Sequence, residues 1–380
     1  MKHPKHKVAV IPGDGIGPEV IAQTLKVASV LIKKYDLSIS FEEFPFGADY
    51  YLNTGITIPE TVFTQWPKEY SAILLGALGD PRVKSNEHAK EILMGLRSKL
   101  DLFINFRPIQ LIDKKFCPLK YVTSESHVNF VVFRENTEDL YAGSGGTLKK
   151  NTCDEIAIEN SIHTYKGVER IIRAAFVYAH NNGRSSVTMA DKSNAMRYAG
   201  DLWQRLFQQI GDEFPWIRKN HMYIDALCMD VLRNPWKYEV IVTSNMFGDI
   251  LTDVAAVLQG GLGLAASVNY NNVATDEHGQ TRTFSSSCQE KFVGLFEPVH
   301  GSAPDIAGQN KANPLASILS FQLLLLRLGY DEAANALYLA VANALSDGNV
   351  PPDLGGNCST TEVGNFLCSA IGTKSGRKHL

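Results

Sequence analysis

No part of this chain stays apolar for long. The longest candidate, Leu315 to Leu328, is interrupted by Ser317, Ser320, Gln322 and Arg327. It falls short of the roughly 20 apolar residues that a membrane-spanning helix requires. No apolar leader stands near the start either, where a few basic residues run directly into Val8-Ala9-Val10-Ile11. The six cysteines (Cys117, Cys153, Cys228, Cys288, Cys358, Cys368) are scattered and form no CxxC. That excludes a zinc ribbon or a disulfide frame and fits reduced thiols, so a cytoplasmic location is expected. An excess of positive charge is missing as well. Lys and Arg number 37 against 40 Asp and Glu, for a net charge of -3. No basic stripe is available to hold nucleic acid, and no polybasic run to hold an anionic membrane; the basic tail from Lys374 to Leu380 reads as a solvated terminus.

What remains is a chain of ordinary globular composition, 44% hydrophobic and 20% charged over 380 residues. That length predicts two domains. Strand-like and helix-like segments alternate, which predicts an α/β fold with a largely parallel sheet. Short apolar runs at Val8–Ile11, Ala72–Leu75, Phe130–Phe133 and Val240–Thr243 read as buried strands. Helical spacing predicts helices over Pro18–Lys34, Lys166–Asn181, Ala195–Phe207, Phe247–Gln259 and Pro314–Leu328. The polar stretch Asn269 to Glu290 reads as a long loop or an exposed hairpin. In sheets of this kind ligands gather at the carboxyl ends of the strands.

Four constellations carry chemical meaning. Gly13-Asp14-Gly15-Ile16-Gly17-Pro18 follows the first strand. Pro18 stands where a dinucleotide fingerprint needs its third glycine, and no acid ends a second strand about twenty residues on. The run reads as a tight strand-to-helix turn with proline in the first helical turn. Asp249 and Asp253 lie four apart on one face of a predicted helix, among apolar residues. Like charges at that spacing repel unless a cation sits between them, and carboxylate oxygens suit Mg²⁺ or Mn²⁺; a solvated acidic face is the plainer alternative. Arg97, Arg107 and Arg134 stand near turns. Together their planar forks would suit a dicarboxylic acid, although singly each could be a structural ion pair. Glu297-Pro298-Val299-His300-Gly301-Ser302-Ala303-Pro304-Asp305-Ile306-Ala307-Gly308 is too dense in small residues and prolines for a simple connector and could wrap a cofactor with its backbone.

Taken in order, these strings resemble the β-decarboxylating dehydrogenases, the isopropylmalate and isocitrate dehydrogenase family. The likeness rests on IPGDGIGPEV from Ile11, LRSKLDLFINFRP from Leu96, FRENTEDLYAG from Phe133, DKSNAM from Asp191, TSNMFGDILTDVAA from Thr243 and FEPVHGSAPDIAGQNKANP from Phe296. It spans nearly the whole chain. It implies a two-domain α/β fold of isopropylmalate-dehydrogenase type, parallel-rich and flanked by helices, distinct from the standard Rossmann fold. Residues 1–102 and 260–380 would form a discontinuous cofactor domain, and 103–259 the substrate, metal and dimerisation domain.

The resemblance also implies roles. Arg97, Arg107 and Arg134 would hold the malate carboxylates. Asp249 and Asp253, with Asp225 from a second copy, would ligate Mg²⁺ or Mn²⁺. Lys192, also from the second copy, would serve in removing the hydroxyl proton, and Tyr141 would protonate the carbon left by decarboxylation. A homodimer with shared active sites follows. Cofactor contacts are expected from Glu297, His300, Gly301, Ser302, Ala303, Asp305, Ile306, Asn313 and Asn194. In this family an acid at the position of Asp305 accompanies NAD, and it would repel the 2′-phosphate of NADP. Leu93 and Met94 lie just before Arg97, in the segment that selects substrate. They would offer an apolar wall matching an isopropyl group, each buried methylene contributing about 0.8 kcal/mol. A 3-isopropylmalate substrate leads, with D-malate or tartrate and isocitrate or homoisocitrate as alternatives. The family also includes non-catalytic regulatory subunits, in which such positions are degraded; here all are present.

Overall fold

The structure is a computed structural model describing residues 5–123, 127–271 and 292–372, with two short strands between the last two ranges. Its first unit alternates strands and helices. His6–Gly13 (β1) leads into Gly17–Tyr35 (α1), then Ile39–Glu43 (β2), Ala48–Thr54 (α2), Thr61–Glu69 (α3), Ala72–Ala77 (β3) and Glu87–Lys99 (α4). The middle of the chain gives Ile104–Gln110 (β4), Asn129–Glu135 (β5), a hairpin of Gly145–Leu148 (β6) and Ile156–Glu159 (β7), Tyr165–Asn181 (α5), Ser186–Asp191 (β8), Arg197–Asp212 (α6), Arg218–Tyr223 (β9), Ile224–Arg233 (α7), Val240–Thr243 (β10) and Asn245–Ala256 (α8). The remainder supplies Ala266–Tyr270 (β11), the two-residue pair Ala274–Thr275 (β12) and Thr281–Arg282 (β13), Leu295–Pro298 (β14), Leu315–Arg327 (α9), Asp331–Asp347 (α10) and Thr360–Gly372 (α11).

Ten strands join in one continuous sheet, ordered β2-β1-β3-β14-β11-β4-β5-β10-β8-β9. Both flanks are parallel, as the alternating pattern predicts. The centre departs from that expectation: β14, β11, β4 and β5 pair antiparallel. Side chains alternate faces along each strand, and the sequence fills both. One face packs Val8, Val10, Phe106 and Phe133 under α1, α5, α6, α9, α10 and α11. The opposite face is covered in two separate patches. Ala9, Ile11, Ile73 and Leu75 pack against α3 and α4, while Ile109, Phe130, Val132 and Ile241 pack against α7 and α8. The front of the sheet between those patches is the floor of a cleft.

The glycine-rich turn after β1 proves structural. Gly13 has φ +75°, and a Cβ there would stand 2.0 Å from the Ala77 carbonyl oxygen. The Asp14 carboxylate accepts the amides of Ala48 at 2.6 Å and Gly79 at 2.8 Å, and meets buried His88 at 2.8 Å. It thereby ties the β1–α1 turn to the segment after β3. Of the stretch Asn269 to Glu290, Asn269 and Tyr270 are the buried end of β11. Asn271 donates from Nδ2 to the Leu100 carbonyl at 3.1 Å, β12 and β13 pair antiparallel, and the rest lies outside the described residues. Cys288 lies there too, and the other five cysteines are free thiols. Among the described residues, no helix is long and apolar enough to cross a membrane.

Candidate active site

The cleft has a volume of about 380 Å³ and gathers residues far apart in the chain: Leu93, Met94 and Arg97 from α4, Arg107 from β4, Arg134 from β5, Tyr141, Asp249 from α8, and Glu297, His300 and Gly301 at the end of β14. Arg107 and Arg134 face the front because Phe106 and Phe133, their neighbours on the same strands, face the rear core.

All three guanidinium groups are buried and each already has a carboxylate. Arg97 donates from Nη2 to Glu297 Oε1 at 2.9 Å. Arg107 donates to Thr252 Oγ1, lies 3.4 Å from Asp249 Oδ1 and 3.7 Å from Asp253 Oδ1. Arg134 donates from Nε to Asn245 Oδ1 at 2.8 Å and pairs with Asp249 through Nη1. Gly248 permits that approach, since a Cβ there would meet the Arg134 side chain at 2.6 Å. Tyr141 completes the group, donating from Oη to Asp249 Oδ2 at 2.8 Å, with the Arg134 guanidinium 5.2 Å from its ring centre.

The electrostatics follow from burial and crowding. Burial, reinforced by Arg107 and Arg97, pushes Arg134 down to about 9, so it remains cationic at neutral pH. Burial also lowers Arg107, with Asp249 opposing. Burial and then the bond to Asp249 raise Tyr141, so its phenol stays protonated. For Asp249, burial acts upward, but Arg134 and Arg107 outweigh it and the carboxyl sits below its ordinary value. Asp253 goes the other way: burial raises it, and Arg107 offsets that only in part.

Other predicted residues lie apart from the cleft or along its edge. Lys192, after β8, pairs with Asp225, at the start of α7, at 2.8 Å, and neither lines the cleft. Among the described residues, no group of three or more His, Cys, Asp or Glu is arranged to hold a metal ion. Asn194 is exposed on the turn after Lys192, also away from the cleft. Ser302 is buried and its carbonyl accepts the Ile16 amide at 2.8 Å. Ala303 has φ +37°. Asp305 is exposed, whereas Ile306 packs with Ile16, Val20 and Ala312. Asn313 donates to Asp353 Oδ2 at 2.9 Å, and burial lowers His300 nearby.

Sequence reasoning missed Asn245 and Thr252, which orient Arg134 and Arg107. Their signal was present, since Asn245, Asp249, Thr252 and Asp253 form a polar stripe at helical spacing on an apolar helix. It also missed Ser85, Asn86 and Lys90, which line the cleft ahead of the expected specificity segment.

This is an α/β protein whose cleft gathers three buried arginines paired with carboxylates. The family model "Isocitrate/isopropylmalate dehydrogenase" matches residues 7–367. The chain is 41% identical over 365 residues to the 3-isopropylmalate dehydrogenase of Thermobifida fusca, covering 96% of this chain and 97% of that one. It is 42% identical over 365 residues to the enzyme of the same name from Nocardia farcinica, covering 96% and 100%. Among solved structures, an isocitrate dehydrogenase from Methylococcus capsulatus matches at TM-score 0.82 and 32% identity, covering 97% of this chain and 100% of that one. An apo β-decarboxylating dehydrogenase from Thermococcus kodakarensis matches at 0.74 and 32%, covering 96% of each chain. The chain belongs to the isocitrate/isopropylmalate dehydrogenase family.

Proposed function

We propose that the protein catalyses NAD-linked, divalent-metal-dependent oxidative decarboxylation of a 3-substituted malate, with 3-isopropylmalate as substrate. The observation that carries this reading is the convergence of three buried arginines on a cleft walled by Leu93 and Met94. Arg97, Arg107 and Arg134 bind the two carboxylates by charge-assisted hydrogen bonds, and the apolar pair packs on the isopropyl group. The names of the curated relatives support the same substrate.

Charge balance supports the metal. The three arginines are matched by Asp249, Asp253 and Glu297. A substrate dianion entering alone would unbalance the site, whereas a dianion with a divalent cation enters neutral. Asp249 and Asp253 supply hard oxygen donors on one helix face, which fits Mg²⁺ or Mn²⁺. When bound, such a cation supplies Lewis-acid polarisation of the substrate oxygen, and NAD supplies the hydride acceptor. Tyr141, kept protonated by burial and Asp249, holds a proton at Oη for the carbon left by decarboxylation.

Lys192 and Asp225 complete the site from a second copy: Lys192 takes the hydroxyl proton and Asp225 adds the third carboxylate. Their mutual pairing outside the cleft supports this arrangement. So do exposed apolar residues, Met229 one turn after Asp225 on α7, Ile250 on α8, and Leu148, Ile156 and Ile158 on the β6–β7 hairpin. A homodimer would cover these. Residues 1–102 with 260–380 are assigned to the cofactor side, and 103–259 to the substrate and dimer side. The loop from Glu297 to Asn313 holds NAD, with Asp305 at the adenosine ribose; Asn194 contributes from the DKSN turn. The expected cellular site is the cytoplasm.

Ser85, Asn86 and Lys90 favour one second reading, a carboxylate in place of the isopropyl group, as in isocitrate or homoisocitrate. NADH formation with Mn²⁺ tests both. Preference for 3-isopropylmalate over isocitrate, homoisocitrate, D-malate and tartrate supports the apolar wall. Preference for a tricarboxylate assigns Lys90 to the third carboxylate, and silence with every acid overturns the proposal.

A further inference from the structure

Leu93 and Met94 reach the cleft from α4, so the start of that helix sets where they stand. One buried side chain holds it. His88, the second residue of α4, is fully buried, whereas the other residues from Lys84 to Lys90 are exposed or half-buried. Ile92 and Leu96, one and two turns further on, pack in the core with Ile73 and Leu75. Position 88 therefore continues an apolar stripe. Instead of an apolar group it offers an imidazole. Nε2 donates to Asp14 Oδ2 at 2.8 Å, while Nδ1 is buried without a hydrogen-bond partner. A leucine would extend the stripe without leaving a buried polar atom unmet. The contact with Asp14 is what the histidine adds.

The same Asp14 oxygen accepts the Gly79 amide at 2.8 Å. One carboxylate oxygen thus closes both ends of the loop 79–88. Inside the loop, Asn86 Oδ1 accepts the Asp80 amide at 3.0 Å. The turn so formed is strained, with φ +57° at Ser85 and +50° at Asn86. Left-handed backbone at non-glycine residues persists only where its surroundings over-determine it. Ser85 and Asn86 line the cleft, and Lys90, Leu93 and Met94 follow them there.

We propose that His88 is a positioning residue for substrate selection, resting on the function proposed above. Its bond to Asp14 clamps the strained loop and the start of α4, and so fixes the wall that meets the substituent on the malate. His88 touches no substrate; it acts through Leu93, Met94 and the Ser85–Asn86 turn.

Kinetics of the intact protein with Mn²⁺ and NAD test this on His88→Leu and His88→Gln. Leucine fills the stripe but cannot donate, whereas glutamine keeps an N–H for Asp14. The quantity read is kcat/KM for the preferred 3-substituted malate divided by that for D-malate, which carries no group for the wall. In His88→Leu the ratio should fall about tenfold, chiefly through KM, the worth of a misplaced apolar contact. His88→Gln should stay within about threefold of wild type. Hydrogen exchange read by mass spectrometry needs no substrate. Peptides within 79–87 should exchange about tenfold faster in His88→Leu, and His88→Gln should restore protection. A wild type that is silent or prefers D-malate overturns the substrate assignment, and exchange alone then decides on His88. If circular dichroism shows His88→Leu unfolded, His88→Asn, too short to reach Asp14, takes its place. An unchanged ratio or unchanged exchange in the folded variant, an equal loss for both acids, or a glutamine variant as impaired as leucine overturns the proposal.

Discussion

The arginine cleft and the Lys192–Asp225 pair hold charges in opposite ways. Arg134 is 2% exposed at its side chain and meets Asn245, Asp249 and the Tyr141 ring. Asp225 is 62% exposed and pairs with the side chain of Lys192, itself 28% exposed. Desolvated charges must be multiply partnered to persist, so the cleft is preorganised for an anion. An exposed pair is weakly held, so Lys192 and Asp225 are free to exchange one another for groups on a second copy. Both lie beyond carboxyl ends of parallel strands, where such sheets place their ligands. On the reading proposed above, the contrast is between a half-site built within the chain and one left for assembly.

Removing Arg134 should break the first region most severely. Arg134→Met leaves Asp249 without its main cation and one substrate carboxylate without its fork. We expect kcat/KM to fall by about 10³-fold, the equivalent of about 4 kcal/mol and within the roughly 3–5 kcal/mol for a broken buried pair. Steady-state kinetics, with thermal melts to verify folding, measure it. A loss under tenfold would mean that Arg134 is structural and that the substrate lies elsewhere.

The second region is tested by complementation. Lys192→Ala and Tyr141→Phe should each cost about 10²–10⁴-fold in kcat, the usual worth of a positioned acid or base. Mixed and allowed to exchange subunits, the two should regain roughly a quarter of wild-type activity. Half the dimers are then mixed, and half the sites in those are intact. Exchange demonstrated by mass spectrometry without recovered activity would show that each site is made by one chain.

Cofactor choice should give a smaller effect. Asp305→Lys removes the acid expected at the adenosine ribose and should raise the KM for NAD by about tenfold, while NADP gains by reversal of charge. Unchanged NAD kinetics would move the ribose away from this loop.

How much of this was legible depended on how local each feature is. β10 was readable to the residue as VIVT, and α1 and α5 to within a residue at each end, because their apolar spacing is carried by neighbours in sequence. The antiparallel centre was not. β11 reads ASVNY, and its Asn269 looks like loop. In the fold, Asn105 and Asn136 donate to its Oδ1 at 2.9 Å, and it donates to Glu297 Oε1 at 2.7 Å. Those partners come from three other segments, so nothing local to β11 announces them. α10 does carry apolar positions at helical spacing, Ala333, Leu337, Ala340, Val341 and Ala344, yet its run of small residues is a weak marker. Residue spacing gave the Asp249–Asp253 stripe, but resemblance was needed to join Arg97, Arg107 and Arg134. The separation of Lys192 and Asp225 from the cleft is a tertiary fact that no spacing carries.

The smallest expected effect is on stability, at the group that anchors α8 and therefore Asp249. Asp139 is buried, and its Oδ2 accepts from Ser244 Oγ at 2.9 Å and from the Met246 amide at 3.0 Å, while Oδ1 accepts from Ser161. Burial acts to raise its pKa, but those hydrogen bonds with nearby His163 outweigh it, and the carboxyl lies below its ordinary value. A depressed folded-state pKa means that the ionised form is stabilised by folding. The contribution is fully present above the unfolded value of about 3.9 and disappears as pH falls through the lower folded value. Asp139→Asn should therefore cost about 1–3 kcal/mol at neutral pH and less in acid, so its melting curve converges on that of the wild type as pH drops below about 4. A deficit that stayed constant across that range would assign the loss to side-chain geometry rather than to the carboxylate charge.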